Sequence, residues 1–311
     1  MFRRGILWLS EQQRIHDFVR SHGLARRFAT RFVAGETADA AIEAARTLAS
    51  AGITASLDLL GESVTNPETA RAARDEILAL LDQMEDEATI ETNVSVKPSQ
   101  MGLDLDLDLC RAHFRDLLDR VRALNGFLRL DMEGATHTQR TLDLFTDDLQ
   151  PEYGDHVGVV IQSALRRSAE DVDRLLARGA RVRLCKGAYR EESDIAFPDK
   201  RDVDREYVSL MERLLREGNY PAIATHDEAI IAHAQRCVAR EGIAPDRFEF
   251  QMLHGVRRDL QNRLRASGYR VRVYIPFGTH WYPYLMRRLA ERPANIAFIL
   301  GNVIREGLSG P

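Results

Sequence analysis

Eight short apolar runs, each followed by a stretch of helical periodicity, constrain this chain more than anything else in it. The runs are Ile53–Leu60, Thr89–Val96, Phe127–Met132, Val157–Ile161, Arg181–Leu184, Ala222–Thr225, Phe248–Leu253 and Arg270–Ile275. Between them, Pro67–Met84, Leu109–Leu124, Thr138–Leu149, Ala169–Arg178, Val203–Arg216, Asp227–Arg240 and Val256–Ser267 repeat apolar residues every three or four positions. Strands joined by such long connections run parallel, because the chain must cross back over one face of the sheet before pairing again. Eight units predict an α/β chain folded as a (β/α)8 TIM-type barrel, and 311 residues suit one such barrel. A doubly wound sheet is the alternative, but no G-x-G-x-x-G follows the first strand. Residues 1–50 read as a helical N-terminal arm and residues 51–311 as the barrel. In the arm, Ser10 and Gln13 have capping-box spacing.

Composition excludes several classes. A net charge of −4 leaves no nucleic-acid footprint. Three scattered cysteines, Cys110, Cys185 and Cys237, have neither metal-ligand nor disulfide-framework spacing, which points to a reducing compartment. No apolar stretch is long enough to span a membrane, and Gly5–Leu9 is too short for a signal-peptide core, so a cytoplasmic location is expected. Only Lys97, Lys186 and Lys200 are lysines among 43 basic residues. A lysine kept against such a bias suggests a place for a compact ammonium.

In a barrel of this kind chemistry gathers at the C-terminal ends of the strands. Those ends read Asp58-Leu59-Leu60-Gly61-Glu62, Ser95-Val96-Lys97, Leu130-Asp131-Met132-Glu133, Val160-Ile161-Gln162, Arg183-Leu184-Cys185-Lys186-Gly187-Ala188-Tyr189, Ala224-Thr225-His226-Asp227, Phe250-Gln251-Met252-Leu253-His254 and Tyr274-Ile275-Pro276-Phe277-Gly278. Burying so many ionisable and amide groups costs several kcal/mol each unless they are paired or hold a ligand. Lys186-Gly187 joins a cation to a close backbone approach, which suits a phosphate, with an ordinary turn as the alternative. His226, Asp227 and His254 could be read as metal ligands, but no second cluster supports them and no metal is expected. Asp104, Asp106 and Asp108 imitate the start of a calcium loop without its glycine, with Arg115 at position twelve. No G-x-S-x-G supports a nucleophilic serine.

After the eighth run the chain continues as YIPFGTHWYPYLMRRLAERPAN, Tyr274 to Asn295. Gly278 breaks the strand, Thr279 can cap a helix and Pro293 can stop it. Tyr284, Arg287, Arg288 and Glu291 are spaced by three or four and share one side of that helix. A phenol, two guanidiniums and a carboxylate suit a small zwitterion whose carboxylate the arginines grip. A solvated helix is the alternative for the motif taken alone.

Together these motifs resemble the proline dehydrogenase family over about Ile53 to Asn295, in its monofunctional bacterial form. The resemblance implies oxidation of L-proline to Δ1-pyrroline-5-carboxylate by hydride transfer to FAD, with electrons passed to a membrane quinone. It implies that Arg287, Arg288 and Lys97 hold the proline carboxylate and that Tyr274, Tyr284 and Leu253 pack around the ring. Asp131 and Arg183 would be catalytic. Met132, Gln162, Arg183, Lys186, Gly187, Ala188, Thr225, His226, Gln251 and Glu291 would contact FAD, and Glu62 would gate the site with an arginine of a final helix over the mouth. Asp227 stands where relatives often have Asn, and Arg190 where many have Trp. An arm carrying Arg26, Arg27 and Arg31 is compatible with peripheral membrane contact, with packing on the barrel as the alternative. A related FAD barrel acting on 4-hydroxyproline or methylenetetrahydrofolate is the alternative activity, and a catalytically silent binding barrel the alternative class.

Overall fold

The computed structural model describes residues 31–189 and 191–291, the last five of these as helix backbone only. Ser10, Gln13, Arg26, Arg27, Arg190 and Pro293 lie outside the described residues, as do the side chains of Arg287, Arg288 and Glu291. The strands are β1 (Thr54–Leu59), β2 (Asn93–Val96), β3 (Phe127–Leu130), β4 (Val157–Gln162), β5 (Arg181–Cys185), β6 (Ala222–Ala224), β7 (Glu249–Leu253) and β8 (Val271–Phe277). They form a closed parallel barrel in chain order. β8 returns to β1 in a register running from Thr54 opposite Arg272 to Leu59 opposite Phe277. The expected (β/α)8 architecture is the one observed.

Local chemistry sets the helix starts. Asn66 Oδ1 accepts from Thr69 N at 2.9 Å and Pro67 opens the helix Pro67–Glu85, where a missing N–H is harmless. Asp106 Oδ1 accepts from Leu109 N at 2.7 Å to cap Leu107–Ala123. The acidic run is thereby accounted for, since Asp104 takes His137 Nε2 at 2.8 Å and Asp108 pairs with Arg111. Asp227 caps Glu228–Glu241.

Several boundaries differ from expectation. β2 begins at Asn93 because Glu87 to Ile90 form a turn before it (Ile90 N to Glu87 O, 3.4 Å). The connection from β3 to β4 starts its helix at Ala135, widens into a π-turn at Leu144–Leu149 and ends in the short helix Gln150–Tyr153. Pro151 has no N–H to continue the regular ladder there. The last helix starts at Trp281, so Thr279 belongs to the preceding turn, which Gly278 opens at φ +112°.

The core lies between the strands' outward faces and the helices. Leu57, Leu128, Val159, Leu184, Ile223, Phe250 and Ile275 are buried there, each such side chain contributing roughly 1.5–3 kcal/mol. The helix Ala38–Ser50 joins the same core through Ala41, Ile42 and Ala45. The barrel's interior differs in kind. Alternate residues along the strands place Ser56 and Asp58, Ser95 and Lys97, Arg129 and Asp131, Arg183, Glu249 and Gln251, and Arg272 inside, all buried. Barrel interiors are usually filled by branched aliphatic residues. Here the filling is ionic, so each group must find a partner across the barrel.

Candidate active site

Arg183, midway along β5, organises the upper layer of this interior. Its guanidinium donates from Nη1 to Asp131 Oδ1 at 2.7 Å, from Nη2 to Ser95 Oγ at 3.0 Å, and from Nε to Gln251 Oε1. Acceptors from the regions of β2, β3 and β7 thus fix one planar group, and a guanidinium held by such a fork loses little freedom when it acts. Asp131 is shared, because Tyr274 Oη donates to its second oxygen at 2.7 Å. The Tyr274 ring lies 5.3 Å from the Arg183 guanidinium carbon. Burial, with Asp131 and Asp58 nearby, holds the Tyr274 phenol well above its ordinary pKa, so it remains a donor.

Beside this cluster stands a second ion pair, Lys97 Nζ to Asp58 Oδ1 at 2.7 Å, with both side chains buried. Asp58 is raised to about 6 by burial, against the pull of Lys97, and the nearby Asp131 carboxylate adds to the rise. Burial disfavours the Lys97 ammonium, yet Asp58, Asp131 and Glu62 outweigh it and hold its pKa above the ordinary value. Asp58 Oδ2 has no hydrogen-bond partner among the described residues. A buried oxygen in that state is a place for an incoming donor. The turn after Lys97 is pinned from below, as Ser99 donates to Glu133 from its backbone N at 2.9 Å and from Oγ at 2.5 Å. Burial raises the Glu133 carboxyl.

The neighbouring strand ends on the other side carry the groups expected to meet a cofactor. Gln162 Nε2 donates to Glu133 O at 2.8 Å and Met132 is buried beside it in the chain. Gly187 has φ +106°, and a Cβ there would stand 3.1 Å from Gln162 Oε1 and 3.2 Å from Ala164 Cβ. Only glycine fits this position without strain, which leaves an exposed backbone cradle next to a cation. That cation, Lys186, bridges Asp204 Oδ1 at 2.6 Å and Asp227 Oδ2 at 2.9 Å. Burial works against both carboxylates, but Lys186 outweighs it and holds them below the ordinary range. Leu253 N donates to His226 Nε2 at 2.9 Å, which puts the ring proton on Nδ1 and ties β6 to β7. Thr225 Oγ accepts from Asp227 N at 3.1 Å.

Four residues singled out from the sequence thus converge directly, Asp131, Arg183, Gln251 and Tyr274, and Lys97 stands beside them through its pair with Asp58. Gln162, Lys186, Gly187, Thr225, His226 and Leu253 line the adjoining strand ends. Tyr284 is buried in a cluster with Phe32, Val33, Leu60, Trp281, Tyr282, Leu285 and Met286. Met286 is the last residue of that helix whose side chain is described. Asp58, Ser95, Glu133, Glu249 and Arg272 join this network without a role expected from the sequence motifs. Their signal is a polar residue at every second position of an otherwise apolar strand. A cavity of about 460 Å3, lined by Asn93, Phe127, Arg181 and Arg272, opens at the opposite, N-terminal end of the barrel. The converging polar groups, rather than this cavity, mark the site.

A cradle beside Lys186, an amide, a forked guanidinium and an open carboxylate oxygen suit an anionic group and a hydrogen-bond donor held side by side. Among known proteins, the family model described as proline dehydrogenase matches residues 41–300. The chain is 38% identical to proline dehydrogenase 1 of Bacillus subtilis, over 98% of this chain and 100% of that one. It is 41% identical to the proline dehydrogenase of Deinococcus radiodurans, over 98% of each. A solved structure of proline utilization A (PutA) from Bdellovibrio bacteriovorus, inactivated by N-propargylglycine, superposes with a TM-score of 0.79 at 26% identity. That match covers 89% of this chain and 34% of the other.

Proposed function

The chain belongs to the proline dehydrogenase family, whose reaction is the oxidation of proline, and from this premise we propose that it oxidises L-proline to Δ1-pyrroline-5-carboxylate with FAD as cofactor. Residues 51–311 are proposed as its catalytic domain, with the described barrel strands running from Thr54 to Phe277. The observation that carries the reading is the Asp131–Arg183–Tyr274 cluster beside the Lys97–Asp58 pair, at the strand ends where barrel chemistry gathers. When bound, FAD supplies the acceptor for the hydride that leaves the carbon next to nitrogen.

The chain's own residues bind and orient. Arg287 and Arg288, with Lys97, hold the substrate carboxylate. Leu253, Tyr274 and Tyr284 shape the space for the ring. Asp131 holds Arg183 and Tyr274 in one geometry, so neither must reorganise during the reaction. Gln162, Lys186, Gly187, Ala188, Thr225, His226 and Glu291 would hold FAD, Lys186 supplying the positive charge beside the Gly187 backbone. Met132, Arg183 and Gln251 would contact FAD as well, Arg183 serving the reaction directly. Glu62 closes over the substrate with an arginine of the last helix, excluding water and strengthening every ion pair inside. A membrane quinone is the proposed final acceptor, reached by peripheral contact. No described helix is long and apolar enough to cross a membrane.

Product analysis tests the reading. L-proline and an artificial electron-accepting dye should yield Δ1-pyrroline-5-carboxylate, and a protein loaded with FAD that makes none would refute it. N-propargylglycine, which inactivated the Bdellovibrio relative, should inactivate this chain as well.

A further inference from the structure

Below Arg183 and Gln251 lies a second layer, Glu249 and Arg272, that the reaction as described does not use. Gln251 turns its carbonyl oxygen to Arg183 Nε and its amide nitrogen to Glu249 Oε1. Glu249 is 2% exposed. It takes Arg272 Nε on both oxygens, at 2.9 and 3.1 Å, and Tyr220 Oη on Oε2 at 3.2 Å. Arg272 continues to Ala55 O at 2.8 Å and to Glu91 at 2.7 Å. A hydrogen-bonded line therefore runs through the barrel from the Glu91 carboxylate, more than half exposed at the N-terminal end, to Asp131 and Tyr274 at the site.

We infer that Glu249 is a positioning residue for Arg183, acting through Gln251. The argument is one of donor and acceptor polarity. An amide side chain can face either way, and reversed it would point two N–H groups at a guanidinium that has only donors. An ionised carboxylate accepts only, so Glu249 forces the Gln251 nitrogen toward itself and the oxygen toward Arg183. Glu249 also supplies negative charge to a layer with buried guanidiniums at Arg129, whose Nη1 bonds Arg181 O at 2.7 Å, and at Arg272. Arg183 is thus held on the Nε edge by Gln251, which is itself held by Glu249 one layer further from the strand ends. The inference rests on the proposed role of Arg183 beside FAD.

The experiment compares wild type, Glu249→Gln and Gln251→Met as FAD-loaded proteins, measuring proline kinetics and the reduction potential of the bound flavin. Gln251→Met removes the Arg183 acceptor while leaving the Glu249–Arg272 pair intact, so it remains informative if Glu249→Gln does not fold. Expected are a fall in kcat on the order of tenfold in each folded variant, with the proline KM within about twofold of wild type. In Glu249→Gln the potential should also move positive, because a negative charge has been removed. A folded Glu249→Gln, or a Gln251→Met, with wild-type kcat and potential would reduce Glu249 to a structural ion-pair partner and overturn the inference. Wild type that binds FAD yet is not reduced by proline would instead overturn the functional reading beneath it.

Discussion

Replacing Asp58 with asparagine removes one titrating proton from the barrel and leaves the shape nearly unchanged. The amide oxygen can still accept from Lys97 Nζ, which stands 2.7 Å from the carboxylate in the native chain. Burial lifts Asp58 from an ordinary 3.8 to about 6, so the folded chain binds this proton more tightly than the unfolded one. The sign follows from linkage. The stabilising effect of that proton is complete below the unfolded value, is lost as pH rises toward 6, and the loss is level above. Between about pH 5 and about pH 7.5, wild type should lose on the order of 1 kcal/mol through this group, visible as a change of several-fold or more in the unfolding equilibrium. The Asp58→Asn side chain cannot titrate, so the variant's stability relative to wild type should grow by that amount over the same interval. Denaturant unfolding of both proteins at the two pH values measures it directly. Parallel stability–pH curves, or a variant that loses ground as pH rises, would refute the picture of a carboxylate forced to ionise in a buried site.

Three further outcomes follow from the site. Arg288→Met or Arg287→Met should raise the proline KM by orders of magnitude while FAD stays bound, and unchanged kinetics would remove both from the carboxylate clamp. Lys97→Met should lower turnover more than it lowers the melting temperature; loss of the fold would make Lys97 structural, its absence leaving Asp58 buried without its cation. Gly187→Ala should weaken FAD binding, read by flavin fluorescence, because a side chain at φ +106° meets Gln162 and Ala164 within 3.2 Å; unaltered affinity would mean the cradle is not used.

The barrel was legible because the strands' outward residues and the helices' inner faces carry one continuous apolar pattern. Leu57, Val159, Ile223 and Phe250 sit where the runs suggested. The inward residues were hidden inside the same runs. Arg129, Glu249 and Arg272 look like interruptions of Phe127–Met132, Phe248–Leu253 and Arg270–Ile275, yet they are the filling of the barrel. The alternation Ser56-x-Asp58, Ser95-x-Lys97, Arg129-x-Asp131, Glu249-x-Gln251 and Arg272-x-Tyr274 is readable in one dimension. A parallel strand covered on both faces would otherwise be apolar throughout. Their pairing is not readable there, since Arg183 meets Ser95, Asp131 and Gln251 only after the barrel closes. Likewise the residue type of Lys186 suggested a phosphate partner, but no spacing rule announced that Asp204 and Asp227 would flank it.

The central claim is that these strand ends bring FAD and L-proline together for hydride transfer. An absorbance spectrum of the FAD-loaded protein before and after adding L-proline, without oxygen, tests it most directly. The flavin bands should bleach with L-proline and persist with D-proline or methylenetetrahydrofolate. Flavin bands that L-proline leaves untouched would contradict the substrate, and a protein that takes up no FAD at all would contradict the cofactor.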